Sequence, residues 1–228
     1  MKTLHILALF FQAFIALSFV SVASAHRPDW GEQGTITEVS DIKTSRAFYR
    51  QLNSDMQVDF YSFSVGADRN LHAGINIPAI AGLENYQVSL ALFGPGLSGD
   101  NYEVLPPLHP EGLGAMVYPS SIGEDFFEPF TQTHYWGRQQ VDINLPEPGK
   151  YYLAVWQPNG NSGKYVLDIG TEEVFGIGDI LNFPIWWVKV HLFFEHGVML
   201  GLIAGAFVVS LGLLIFLPRR LRKASVLS

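Results

Sequence analysis

Seven histidines and no cysteine bound the metal chemistry open to this 228-residue chain. Without cysteine there is no disulfide frame, no thiolate metal site and no cysteine nucleophile. His26 directly follows Ala23-Ser24-Ala25, a small-x-small signal at which a secretory leader is cut. Cleavage there would make His26 the mature N-terminus. Its α-amine and imidazole could then chelate copper with a second histidine, His72, His109 or His134, because imidazole suits copper. The competing expectation is that residue 26 is a mobile end. Asp55, Asp59, Asp100, Asp142 and Asp168 offer hard oxygen ligands for calcium, without EF-hand spacing. Copper and calcium are possible cofactors, and the simplest expectation is none.

The densest mixture of aromatic and acidic residues lies at 124–136. Phe126, Phe127, Phe130, Tyr135 and Trp136 stand among Glu124, Asp125, Glu128 and His134. Aromatic faces beside acidic acceptors can bind a sugar or a partner's basic loop. The alternative is that the rings plug one end of a sandwich while the acids face water. No G-x-S-x-G, H-E-x-x-H, P-loop or G-x-G-x-x-G occurs. The adjacent carboxylates Glu124 and Asp125 read as solvated loop residues. A protein without catalysis is expected.

These residues must be positioned by a chain with two apolar blocks. The first is a leader: Lys2, an apolar run from Leu4 to Val22, then the cut site, giving a signal peptide at 1–25. The second, 197–217, is 21 residues without an ionisable side chain. As a helix it spans about 31 Å, the thickness of a hydrocarbon core. Arg219, Arg220, Arg222 and Lys223 follow in the tail 218–228 and mark a cytoplasmic side. Upstream, 183–196 carries Phe183, Trp186, Trp187, Phe193 and Phe194 as an interfacial aromatic belt, with His191 and His196 at headgroup depth. Asn182 and Pro184 read as the start of a helix running unbroken into the bilayer. Gly197, Gly201 and Gly205 share one helical face, where another span or a second copy could pack closely. The expected topology is a single-pass plasma-membrane protein, body outside and C-terminus inside. Residues 26–182 carry a formal charge of −12, and the whole chain −7, which argues against nucleic acid as a partner.

The body, 26–180, alternates in the manner of strands. Candidate strands are 35–39, 47–52, 57–65, 70–78, 87–93, 116–118, 140–145, 151–156 and 164–169. Turn formers at 157–163 read as a hairpin loop joining the last two. Eight or nine short strands predict an all-β antiparallel sandwich or jelly roll. The stretch 97–135, rich in Pro and Gly, reads as a long loop or insertion.

The runs VDFYSFSVGADRNLHAGINI, YQVSLALFGPG and LPEPGKYYLAVWQPNGNSGKYVLDIG resemble bacterial pre-peptidase C-terminal (PPC-like) domains. The matching positions are Asp59, Tyr61, Phe63, Leu90, Leu92, Gly149, Tyr151, Leu153, Val155, Gly163, Tyr165, Leu167 and Ile169. The resemblance covers 47–170 and implies a β-sandwich, usually an accessory module that binds substrate or the cell surface. The expected function is therefore a membrane-anchored acidic sandwich that binds a carbohydrate or protein partner. The alternatives are a histidine-based copper or redox protein of the envelope and a structural subunit of a membrane complex.

Overall fold

The computed structural model describes residues 26–31, 36–53, 57–67, 69–98 and 105–224, with side chains to residue 210. The leader at 1–25 lies outside the described residues, as do Asp55 and Asp100.

Eleven strands precede two helices. They are β1 (Arg27–Asp29), β2 (Ile36–Glu38), β3 (Arg46–Leu52), β4 (Val58–Val65), β5 (Asn70–Pro78), β6 (Ser89–Gly94), β7 (Gly114–Tyr118), β8 (Asp125–Glu128), β9 (Thr133–Asn144), β10 (Gly149–Trp156) and β11 (Gly163–Ile169). The helices are α1 (Ile177–Phe193) and α2 (Gly197–Ala224). The first sheet runs β1-β3-β11-β5-β9-β8 and the second β2-β4-β10-β6-β7. Pairing is antiparallel except where the short edge strands β1 and β2 join β3 and β4 in parallel. The two sheets face each other as a β-sandwich.

Alternation decides the faces. Tyr61, Phe63 and Val65 of β4, Leu90 and Leu92 of β6, and Tyr151, Leu153 and Val155 of β10 point inward. They meet Phe48, Leu52, Leu71, Ile75, Tyr165 and Leu167 from the first sheet. The intervening Phe60, Ala91, Phe93, Ala154 and Trp156 form a second cluster on the outside of the other sheet. One polar chain crosses the core. Tyr165 donates to Asp59 Oδ2 at 2.7 Å, and the Tyr61 and Tyr165 hydroxyls lie 2.8 Å apart. Asp59 is thus tied into the core by a tyrosine hydroxyl.

Several expectations are corrected. The 97–135 stretch, read as a long loop or insertion, holds more strand than expected: besides β7, which covers the candidate strand 116–118, it contains β8 and the start of β9. The loop 157–163 is no hairpin, because β10 and β11 lie in different sheets and the loop carries the chain between them. The first helix begins at Ile177, with Gly176 N–H donating to the Asp179 carboxylate at 2.8 Å, so Asn182 does not cap it. Pro184 sits inside it. The helix does not run on unbroken, since Glu195 adopts φ 62 and the turn 194–196 separates α1 from α2.

That break lets α1 dock. Val190 and Phe194 are buried against Ala47, Tyr49, Tyr135 and Val166 on the outer face of the first sheet, with Trp30 and Phe193 beside them. Lys164 Nζ holds the helix end, donating to Phe193 O at 2.7 Å and meeting Glu195 Oε1 at 2.8 Å. The aromatic belt therefore packs partly on protein. Trp186 and Trp187 are half-buried. The outward side chains Ile177, Ile180, Leu181, Ile185, Val188 and Leu192 stay exposed. Among the described residues no helix is long and apolar enough to cross a membrane. The backbone of α2 is 28 residues long, with side chains described only as far as Ser210.

Candidate functional site

The outer face of the first sheet carries a cavity of about 620 Å3 beside the docked helix. Its floor comes from register. Ala47, Asp168, Gly74 and Gln140 are neighbours across β3, β11, β5 and β9. Because side chains alternate, His72 and Asn76, two residues either side of Gly74, share that face. The hairpin of β8 and β9 forms one wall, with Phe126 in it.

Asp168 is the most constrained group in the floor, at 9% exposure. Asn76 Nδ2 donates to its Oδ1 at 2.6 Å, while its Oδ2 lies 3.8 Å from His72 Nε2. Gly74 makes the space: a Cβ there would stand 2.6 Å from Asp168 Oδ2. Burial pushes the Asp168 carboxyl above the usual carboxylate range, and the positive forms of His26 and His72 oppose that rise. His72 is itself fixed from behind, its Nδ1 lying 2.6 Å from Asp142 Oδ1. Gln140 Nε2 donates to the other Asp142 oxygen at 3.0 Å. The His72 contact holds the Asp142 carboxyl below its ordinary value. A ring whose Nδ1–H is held by a carboxylate presents Nε2 as a free lone pair.

His26 lines the same cavity. Arg27 N–H donates to Ser45 O at 3.1 Å, and β1 pairs with β3 from Arg27 onward. The His26 Nε2 is buried and makes no hydrogen bond. The other two candidate histidines lie apart from this pair. His109 stacks on Phe93, at 6.1 Å, on the outside of the second sheet. His134 is exposed, 3.5 Å from Asp125 and 5.0 Å from the Phe127 ring. Among the described residues no three His, Asp or Glu side chains are gathered to hold a metal by themselves.

The aromatic segment divides by role. Phe126 is exposed at the cavity and stacks on Tyr135 at 5.4 Å. Tyr135 is buried, its hydroxyl 3.0 Å from that of Tyr49, and burial pushes it up to about 12. Phe127 also lines the cavity and is exposed. Trp136 packs against the main core. Glu128 is not free for a ligand. Its oxygens accept the N–H groups of Phe130, at 2.8 Å, and Thr131, at 2.6 Å, and the Thr131 hydroxyl. Phe130 packs on Phe183 of α1, 4.7 Å between centroids, and on Phe175. The start of the segment thus lines the cavity, its middle ties the hairpin to α1, and Tyr135 and Trp136 at its end pack inward.

Sequence reasoning did not single out Asn76, Gln140 or Gly74. None belongs to a motif, and only register brings them beside Asp168. Arg138 was likewise missed. It sits at the irregularity in the β5–β9 pairing and donates to Glu84 O at 2.7 Å and Tyr86 O at 3.1 Å, a structural role. In α2, a Cβ on Gly197, Gly201 or Gly205 would meet nothing within 4 Å. Arg219 and Arg220 lie in the helical backbone of α2.

No family model matches the chain, and no curated protein matches it. Among solved structures it is similar to PliG of Aeromonas hydrophila, a periplasmic lysozyme inhibitor of g-type lysozyme. Identity is 14%, the match covers 65% of this chain and 100% of that one, and the TM-score is 0.32.

Proposed function

We propose that this chain is a single-pass envelope protein presenting a sugar-binding β-sandwich outside the plasma membrane, without catalysis. The cavity on the first sheet carries the binding reading. About 620 Å3 is within the range of small-molecule sites. One wall is an exposed ring, Phe126, backed by Tyr135, and the floor offers Gln140, Asn76 and Asp168 as donors and acceptors. A ring face beside convergent polar groups suits a ligand with one apolar face and a rim of hydroxyls. The resemblance to PPC-like modules, accessory binders in other proteins, points the same way. The anchor reading is supported by the ionisable-free run 197–217, the four cations after it, and the uncovered Val198, Leu202, Phe207 and Val209. The small-residue face Gly197, Gly201 and Gly205 is the surface on which a second copy or another span would pack.

The test uses the full-length chain in detergent on an array of mono- to tetrasaccharides. Binding should appear for a defined subset and weaken at least about tenfold in Phe126→Ala, a change on an exposed edge strand. In parallel, protease added to intact spheroplasts should remove the head and spare the basic end. A folded chain that binds no glycan overturns the sugar reading and leaves a protein partner in its place. A head protected from protease overturns the topology.

A further inference from the structure

The cavity floor sets two hydrogen-bond acceptors against each other with no donor between them. Asp142 Oδ1 lies 2.6 Å from His72 Nδ1. An ionised carboxylate only accepts, so Nδ1 carries the proton and Nε2 of the neutral ring is left as a lone pair. That Nε2 lies 3.8 Å from Asp168 Oδ2, beyond hydrogen bonding. Asn76 Nδ2 donates to the other oxygen, Oδ1, at 2.6 Å. Asp168 thus keeps one oxygen without a side-chain donor, although the residue is only 9% exposed and lines the cavity. A buried acceptor in that state costs stability, and costs more when it is charged. Gly74 leaves the ground beside this oxygen open, since a Cβ there would stand 2.6 Å from it.

The rest of the lining favours a positive ligand. Glu124 and Asp125 are exposed in it. Arg138, the guanidinium in the lining, spends its N–H groups on the carbonyl oxygens of Glu84, Tyr86 and Gly137. A group suited to the gap in the floor carries a positive charge and more than one N–H. An ammonium does both, donating to Asp168 Oδ2 and to His72 Nε2 while it neutralises the carboxylate. The positive forms of His26 and His72 also ease this carboxylate. At 3.8 Å, however, even a protonated His72 ring gives Oδ2 no hydrogen bond. We propose that the cavity selects an amino sugar with a free, unacetylated amine, held by Asp168 Oδ2 and His72 Nε2, with the sugar ring against Phe126. An acetamide or a hydroxyl at the same place brings one donor and no charge, so neither serves both acceptors. This inference rests on the sugar reading of the cavity and names the class of sugar.

The experiment measures, by isothermal titration calorimetry near neutral pH, the binding of β-1,4-linked tetrasaccharides to the full-length chain in detergent. The ligands are the tetramers of glucosamine, of N-acetylglucosamine and of glucose, which differ at the second ring carbon alone: amine, acetamide or hydroxyl. The glucosamine tetramer should bind at least about tenfold tighter than either of the others. Asp168→Asn, with its fold checked by circular dichroism, should remove that preference. His72→Ala, which takes away the second acceptor, should reduce it by about fivefold. Phe126→Ala should weaken all the tetramers alike. Glu111→Gln removes an exposed acid outside the cavity and should change the preference by less than about twofold. Equal binding of the tetramers overturns the inference and leaves the sugar reading standing. A preference that survives Asp168→Asn, or that Glu111→Gln abolishes, overturns it as mere attraction to an acidic head. Binding of trilysine without binding of the glucosamine tetramer overturns it in favour of a lysine side chain from a protein. A folded chain that binds none of the tetramers overturns it as well, and the glycan array decides separately whether the sugar reading falls.

Discussion

Asp168 is a buried carboxyl whose ionised form works against the stability of the fold. Its carboxylate is buried, Asn76 satisfies one oxygen, and the other faces His72 without a short hydrogen bond. Burial raises its pKa, so the folded chain holds this proton more tightly than the unfolded chain does. Between the unfolded value of about 3.8 and the raised folded one, rising pH removes stability. At neutral pH the ionised form is therefore a burden that a neutral isostere would lift. Asp168→Asn should melt at a higher temperature than the parent at pH 7 with chelator present, and the gap should close as pH falls toward 4. A variant less stable than the parent at pH 7 would mean that the flanking histidines already neutralise the charge. Groups kept at a cost to the fold are where binding sites tend to lie.

The β8–β9 hairpin owes its shape to one residue. Glu128 gathers two backbone N–H groups and a hydroxyl in the turn, where Gln132 takes φ 59. Removing the acceptor strands those donors, and hydrogen bonds to a charged group are worth about 1.5–3 kcal/mol each before relaxation. Glu128→Ala should lower unfolding free energy by about 1–3 kcal/mol in urea titration and release Phe130 from α1, whereas Glu128→Gln should retain part of that. This hairpin also marks what the sequence could tell. Strands such as β4, β6 and β10 were legible because Tyr61, Phe63, Leu90, Leu92, Leu153 and Val155 alternate with the other face for at least five residues. Strands β1 and β8 are three and four residues long and make sense only against a neighbour. The turn at 157–163 looked like a hairpin because turn chemistry is local, whereas which sheet the next strand joins is not. His72 and His26 were visible as residue types. That both line the cavity floored by Asp168 needed the pairing of the strands.

At the scale of the whole molecule, α1 decides how the head is joined to α2. Its buried face is fixed to the sheet by Val190, His191 and Phe194, and its outward face is apolar and exposed. With α2 in a bilayer, that outward face would lie against the lipid surface, and the head would be clamped to its anchor at the 194–196 turn. Two histidines span that turn, His191 Nδ1 lying 2.8 Å from His196 Nδ1. One ring must donate and the other accept, so the pair tolerates at most one proton beyond neutrality. Burial, then the neighbouring His196 charge, holds His191 below its ordinary value of 6.5. The folded form therefore prefers the neutral ring. Its contribution is complete above about pH 6.5 and is lost as pH falls through the depressed folded value. Hydrogen exchange should report this as loss of protection at 190–197 on acidification below pH 6.5, with the β4, β10 and β11 amides unchanged. His196→Gln removes the repulsion between two cations and should flatten the response. If protection at the turn is lost equally in parent and variant, the histidine pair does not govern the joint, and the docking of Phe194 alone holds the head to the helix.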